Sequence, residues 1–295
     1  MKKLRNKAVI ARNFAVYRQH AWLASTSNTN FPLDSSSNFV VSVASYPKRI
    51  HLVPAVFESL ARQKIRAKRA YLVLSEEDYP DKHLPAEINR LIDRGVEIVW
   101  TRNNPYAVKK LMPVWQRDPD CAVCTFDDDT IYRPQVTEGL FNAAAGRENL
   151  IVGYWGKALY QRGGKLGMWF REPVSFKREL IDDRVYLMGG GGVWYSPSTL
   201  DPRVTDVEAV QKIVPGRGSD IWFWAAAHAA NAKHCWIKPQ TQKSLWIPIP
   251  QSANTKPRET PGGDVLEERF QKAINFFGVR QKLQRCLPDR SDAAA

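Results

Sequence analysis

Short apolar runs alternate with helically spaced ones from Phe39 onward. Phe39 to Ser45 reads as a buried strand, and Ala70 to Ser75, Val96 to Thr101 and Ala122 to Phe126 read as three more. Between them Leu52, Val56 and Leu60 recur every four residues, and Leu84 to Ile92 and Val108 to Trp115 carry helical spacing. Strand and helix alternating at this cadence predict an α/β fold with a parallel sheet of βαβ units, in which ligands gather at the carboxyl ends of the strands. The second half is less regular and rich in tryptophan. There Met188 to Pro197 is a glycine run leading into a strand-like VWYS segment. Ser219 to Asn231 and Val265 to Phe277 predict helices, the latter with Leu266, Phe270, Ile274 and Phe277 on one face.

Ahead of Phe39 the texture differs. Val9, Ile10, Phe14, Tyr17 and Trp22 recur at roughly helical intervals among Lys2, Lys3, Arg5, Lys7, Arg12 and Arg18, with no acid before Asp34. Two readings stand: a basic amphipathic helix lying on an anionic membrane surface, or a first helix packed on the domain with a solvated basic face. Ser25 to Asn38, rich in Ser and Asn, reads as a linker.

Composition narrows the class. With 295 residues, 44% hydrophobic and 25% charged, the chain has the make-up of a soluble globular protein, which excludes collagen, coiled coil and disordered tail. The charge-free stretch Ile221 to Ala232 falls short of the roughly 18 apolar residues a membrane span needs. A net charge of +13 points to an anionic partner: nucleic acid, phospholipid or a phosphorylated substrate. Four cysteines are too few for a disulfide framework, and a basic start broken by Arg12 and Arg18 lacks a signal-peptide pattern, so a cytoplasmic location is expected. Cys121 and Cys124 fall three apart on a strand, face opposite sides, and read as two buried thiols rather than a zinc or redox pair.

The chemistry concentrates at strand ends. Asp127, Asp128 and Asp129 close the fourth strand, and three adjacent carboxylates call for a cation. In an extended segment Asp127 and Asp129 share a side, where they would hold Mg²⁺ or Mn²⁺. Ser45, Tyr46 and Arg49 follow the first strand, Glu76 the second, and Lys109 and Lys110 lie beyond the third. Together these offer a ring and hydrogen-bonding groups for a base and ribose, and cations for a diphosphate. Ser219 and Asp220 open an Ala-rich helix, where either would serve as an N-cap. The run Gly189 to Gly192 lacks the helix and the Gly-Lys-Ser/Thr of a phosphate loop. It reads as a close approach of backbone to substrate, or as an ordinary turn.

The segments VVSVASYPKRI, YLVLSEEDYP, AVKKLMPVW, FDDDTIYRP, GGGGVWYSP, SDIWFWAAA and ERFQKAINFFG, in that order, resemble bacterial glycosyltransferases of the GT-A fold, a family with many polysaccharide and lipopolysaccharide enzymes. The resemblance covers about residues 38 to 278. It implies a Rossmann-type, mostly parallel sheet flanked by helices, with a nucleotide-sugar half over 38–133 and an aromatic-rich acceptor half over 134–278. Residues 1–37 form the basic segment and linker, and 279–295 a polar tail. It further implies that Asp127, Asp128 and Asp129 hold a nucleotide sugar, commonly of UDP, with Mn²⁺ or Mg²⁺ on Asp127 and Asp129. Asp220 would be the base of an inverting transfer to a glycan or lipid-linked acceptor, although Ser219 stands where the family often has a second acid. Two other classes compete. A haloacid-dehalogenase-like phosphatase would use the triplet with Asp182 and Asp183 as its distal metal pair, but its motif ends the first strand of its domain. A nucleic-acid-binding protein would suit the charge, but no groove-reading motif is present and the triplet repels phosphate.

Overall fold

The computed structural model describes residues 2–239, 244–251 and 263–290. Helix α1 (Lys2–Thr26) precedes a βαβ succession made of β1 (Phe39–Ala44), α2 (Val53–Ala61), β2 (Ala70–Ser75), α3 (Ala86–Asp93), β3 (Glu97–Thr101), α4 (Met112–Arg117) and β4 (Ala122–Phe126). Next come β5 (Thr130–Tyr132), α5 (Val136–Ala144), β6 (Leu150–Gly153), β7 (Gly156–Arg162), β8 (Lys165–Glu172), β9 (Glu179–Ile181), β10 (Val185–Leu187) and β11 (Val193–Tyr195). The remaining elements are α6 (Val207–Ile213), α7 (Ser219–Ala229), β12 (Lys233–Ile237), β13 (Trp246–Pro248), α8 (Gly263–Phe276) and α9 (Arg280–Cys286).

An eight-stranded sheet runs in the order β3-β2-β1-β4-β11-β6-β12-β9. The first four strands are mutually parallel. β11 runs against both β4 and β6, so β6 and its parallel partner β12 point the same way as the first four, and only β11 and the edge strand β9 oppose them. The expected α/β class, with a mostly parallel sheet flanked by helices, is therefore present. β1, β2 and β4 are buried almost throughout because helices cover both faces, and this is why apolar residues dominate them, with Ser42, Ser75 and Thr125 the exceptions.

Alternate residues of each strand feed two cores. Val40, Tyr71 and Val123 join α7, α8 and α9 on one face, while Phe39, Val41 and Leu72 join α2, α3 and α5 on the other. Cys121 and Cys124 are free thiols that fall in opposite cores, as their spacing requires. Both cores draw on residues from either side of 133. Helix α7 is apolar on all sides and buried around most of its circumference, with the Trp222 and Trp224 indoles donating to the carbonyls of Val204 and Val185 at 2.9 Å each.

Two boundaries differ from expectation. Val108 to Trp115 is a 3₁₀ turn over Tyr106–Lys110 followed by α4, because Pro113 has no amide to continue the earlier turn but fits the first turn of a helix. The stretch from residue 279 is not a loose tail as far as it is described: Val279, Leu283 and Leu287 are buried in the first core, and α9 organises them. Residues 291–295 of that expected tail lie outside the described residues.

At the end of α7, His228 and His234 lie with ring centroids 5.1 Å apart against Trp224. Burial drives the pKa of both down, that of His234 to about 4. An unfolded histidine takes up its proton near pH 6.5, so in the window between there and about 4 the unfolded chain binds more protons, and stability falls as pH falls. Between about pH 7 and about pH 5 His234 alone is expected to remove about 2 kcal/mol, read as a lower urea midpoint, and His234→Leu should flatten that slope.

Candidate active site

Four segments meet at the carboxyl end of the sheet around a cavity of about 660 Å³: Ala44–Arg49 after β1, Asn104–Lys110 after β3, Phe126–Asp129 after β4, and Gly216–Asp220 at the start of α7. This is the end where ligands collect in parallel sheets.

The acidic triplet is a turn between β4 and β5, not an extended segment. The Asp127 amide donates to the Tyr132 hydroxyl at 2.9 Å, and that hydroxyl reaches the Gly190 carbonyl at 3.5 Å. The extended geometry from which Asp127 and Asp129 are expected to share a side is therefore absent, although both line the cavity. Asp127 turns to the Lys110 ammonium at 3.0 Å. Asp129 turns to Arg49 at 2.9 Å and accepts from the Gln251 amide. Asp128 is sealed beneath them, accepting from the Ser45 hydroxyl at 2.7 Å and from Arg49 at 3.0 Å. Burial pushes the Asp128 carboxyl up to about 6, Arg49 opposes the rise and Asp129 adds to it.

Lys109 and Lys110 are both buried, contrary to the usual solvated lysine pair, because the 3₁₀ turn folds them inward. Lys109 lies 3.4 Å from Asp78, and burial lowers its pKa. Burial also works against the charge of Lys110, but Asp127 and Asp220 outweigh it and hold its pKa above the ordinary value. Helix α7 takes its cap at Gly218, whose φ of 116° few other residues tolerate, and no side-chain capping bond forms there. Asp220 is thus free of the cap role and faces the cavity from the first turn. Its pKa is raised by burial, with Lys110 opposing.

Gly189 closes this arrangement. A Cβ there would lie 2.6 Å from the Lys110 Nζ and 3.4 Å from a carboxylate oxygen of both Asp127 and Asp220. The backbone also supplies a hydrogen bond to Asp220. Both carboxylates and the ammonium therefore converge on one glycine, so the close approach seen here is of backbone to the chain's own side chains.

Ser45, Tyr46, Arg49, Lys109, Lys110, Asp127, Asp128, Asp129 and Asp220 all line the cavity. Glu76 does not: it points away to Lys82 at 3.0 Å and Arg102 at 3.2 Å. Its neighbour Glu77 accepts from the Asn103 and Asn104 amides and the Ser75 hydroxyl, and so shapes the loop that carries the lysines. Asp182 and Asp183 are engaged by Arg184 and Lys233 and are not among the cavity's lining residues. Sequence reasoning passed over Asp78 and Arg217, whereas Asn104 falls in the stretch Asn103 to Lys110 that follows the third strand. Only Arg217 had a signal, two flanking glycines just before a helix.

Five acids (Asp78, Asp127, Asp128, Asp129 and Asp220) face five bases (Lys48, Arg49, Lys109, Lys110 and Arg217) in the lining. The cation that the triplet demands is thus supplied first by the chain itself. Among the described residues no three His, Cys, Asp or Glu side chains converge as a metal cage. Asp127 and Asp129 keep 33% and 22% of their side chains open, whereas Asp128 is closed off. That donor set suits a hard divalent ion completed by phosphate oxygens, since such ions are commonly held by one or two carboxylates plus substrate.

No family model matches the chain, and neither does any curated protein. Among solved structures it is similar to GalNAc-T7 crystallised with UDP, GalNAc and Mn²⁺, at 12% identity and a TM-score of 0.47, over 69% of this chain and 43% of that one. It is similar to residues 1–349 of S. aureus TarS at 13% identity and a TM-score of 0.43, over 71% of this chain and 59% of that one. CMP:2-keto-3-deoxy-manno-octonic acid synthetase complexed with CTP gives 12% identity and a TM-score of 0.41, over 69% of this chain and 90% of that one. The chain thus spans less than two thirds of the first two.

Removing Lys110 would leave Asp127 without its ion-pair partner and take away the positive charge that opposes burial at Asp220. Lys110→Met is expected to cost about 2 kcal/mol or more in urea unfolding, discounted for the partial exposure of Asp127. Adding Asp127→Asn should return part of that loss, and a cycle with no coupling between the two sites would refute the pairing.

Proposed function

We propose that the chain is a glycosyltransferase that moves a sugar from a nucleotide diphosphate sugar to a hydroxyl of a glycan or lipid-linked glycan, with inversion. The observation that carries this reading is the convergence of Asp127, Lys110 and Asp220 on Gly189 at the edge of a cavity that also holds Tyr46, Lys109 and Arg217. Tyr46 offers a ring for the base, while Lys109, Lys48 and Arg217 offer charge to the diphosphate. Ser45 and Arg49 act on the nucleotide indirectly, because both are committed to the acidic turn.

Asp220 serves as general base. The acceptor oxygen attacks the anomeric carbon, its proton passes to the Asp220 carboxylate, and the bond from sugar to phosphate breaks with its electron pair leaving on the nucleotide diphosphate. Burial raises the pKa of Asp220 and so favours proton uptake, and the Lys110 charge opposes that rise. Mn²⁺ or Mg²⁺, of which UDP-sugar chemistry commonly makes use, would be held by Asp127 and Asp129 and would neutralise charge on the departing diphosphate. Asp128 keeps the turn in shape from beneath.

The test begins with a panel of nucleotide sugars and Mn²⁺, following both binding and slow donor hydrolysis. A member of the panel should bind and be hydrolysed; a protein that binds none of them is not this enzyme. With that donor, Asp220→Asn should lower kcat on the order of 10² or more while donor affinity and thermal stability hold. Normal turnover in that variant would remove Asp220 from the mechanism. Asp129→Ala should lose turnover while the fold survives, and full activity in excess chelator would remove the metal.

A further inference from the structure

Helix α1 presents two unlike faces. Asn13 and Ala24 are buried, Val16, Tyr17 and Ala21 pack beside them on the second core, and the Asn13 amide donates to the Pro248 carbonyl at 3.1 Å. Helical spacing puts Lys7, Ala11, Phe14, Arg18 and Trp22 on the opposite side, and all five are exposed. Trp22 is 63% exposed and Phe14 48%, with Ile10 at 55% on the flank. A packed helix normally turns such side chains inward, so here packing leaves the large apolar groups outside.

The charge on that outer face has one sign. The chain has no acid before Asp34, and among the described residues no ion pair forms to Lys7, Arg12 or Arg18. Cations standing beside insertable aromatic and aliphatic side chains, along a 25-residue helix, match a surface that is negative outside and apolar a few ångströms deeper. Nucleic acid answers the charge but gives nothing for Ile10 and Phe14 to enter. A second copy of this chain answers the apolar groups but would bring like charges together.

We infer that the outer face of α1 docks on an anionic lipid bilayer, with Ile10, Phe14 and Trp22 entering the headgroup boundary and Lys7 and Arg18 lying among the phosphates, while Arg12 is tied to Asn13 at the side. The inner face carries the consequence to the cavity. Asn13 holds Pro248 of β13, which pairs with β5 directly after the acidic turn, and the Ile249 amide donates to the Asp129 carbonyl at 2.8 Å. The docked helix is therefore one strand away from the carboxylates. The docking stands on α1 alone and does not depend on the proposed reaction.

The experiment is co-sedimentation of the full chain with vesicles of phosphatidylcholine alone and of phosphatidylcholine mixed equally with phosphatidylglycerol, in low and high salt. Binding is expected to the anionic vesicles only and to weaken with salt. Phe14→Ser with Trp22→Ser, and separately Lys7→Glu with Arg18→Glu, should each weaken it on the order of tenfold or more while the thermal midpoint holds, since all four side chains are exposed. Equal sedimentation of either variant and the parent overturns the inference, as does equal binding to neutral vesicles. A concentration-dependent dimer abolished by the serine pair would assign the face to a second copy instead and equally overturn it, as would a duplex DNA or RNA that outcompetes the vesicles.

Discussion

Lys110 is paired with Asp127 at 3.0 Å, has little contact with water, and lies close enough to Asp220 for its charge to oppose the effect of burial there. A buried ammonium facing two acids is held there by strong opposing terms: the cost of removing each charge from water and the attraction gained once they are side by side. Arg49 plays the matching part for Asp128 and Asp129. Without these two cations the turn after β4 would carry three repelling carboxylates at one end of the sheet. With them, it is a fixed feature on which a cavity can be built.

The rest of the cavity follows from holding those cations in position. Lys110 is anchored through its own carbonyl, which accepts from the Ser42 hydroxyl within β1. The loop ahead of it is shaped by Glu77 accepting from the Asn103 and Asn104 amides. Gly189 has no side chain because the ammonium already occupies the space a Cβ would fill. Tyr132 then ties the glycine run to the acidic turn through one hydroxyl.

Much of this was legible in the sequence where a single residue type or a local pattern decides the matter. β1, β2 and β4 are mostly apolar because helices cover both faces, and Asp127 to Asp129 stand out because nothing in a core would keep them. The pairings were not legible. Lys110 meets Asp127 and Asp220 only through the fold, and no local spacing tells Lys109 from Lys110 or singles out Asp78 from Glu76 and Glu77. Strand alternation does not apply at Asp127 to Asp129, because the chain turns there to reach β5. The hairpin of β7 and β8 had a signal in Gly163-Gly164, both with positive φ, but the aromatic residues around it obscure the period of the strands.

The position of β11 bears on how the chain is assembled during synthesis. This three-residue strand sits between β4 and β6, yet it is made some forty residues after β6. Until residues 193–195 emerge, β4 has a bare edge and β6 has no partner on that side, and β12 comes later still. A ribosome-bound chain stopped within the glycine run thus displays unpaired backbone along two buried central strands, the kind of edge that recruits other chains. Gly192, whose φ of 84° brings the backbone against Phe126, is the last residue before that gap closes.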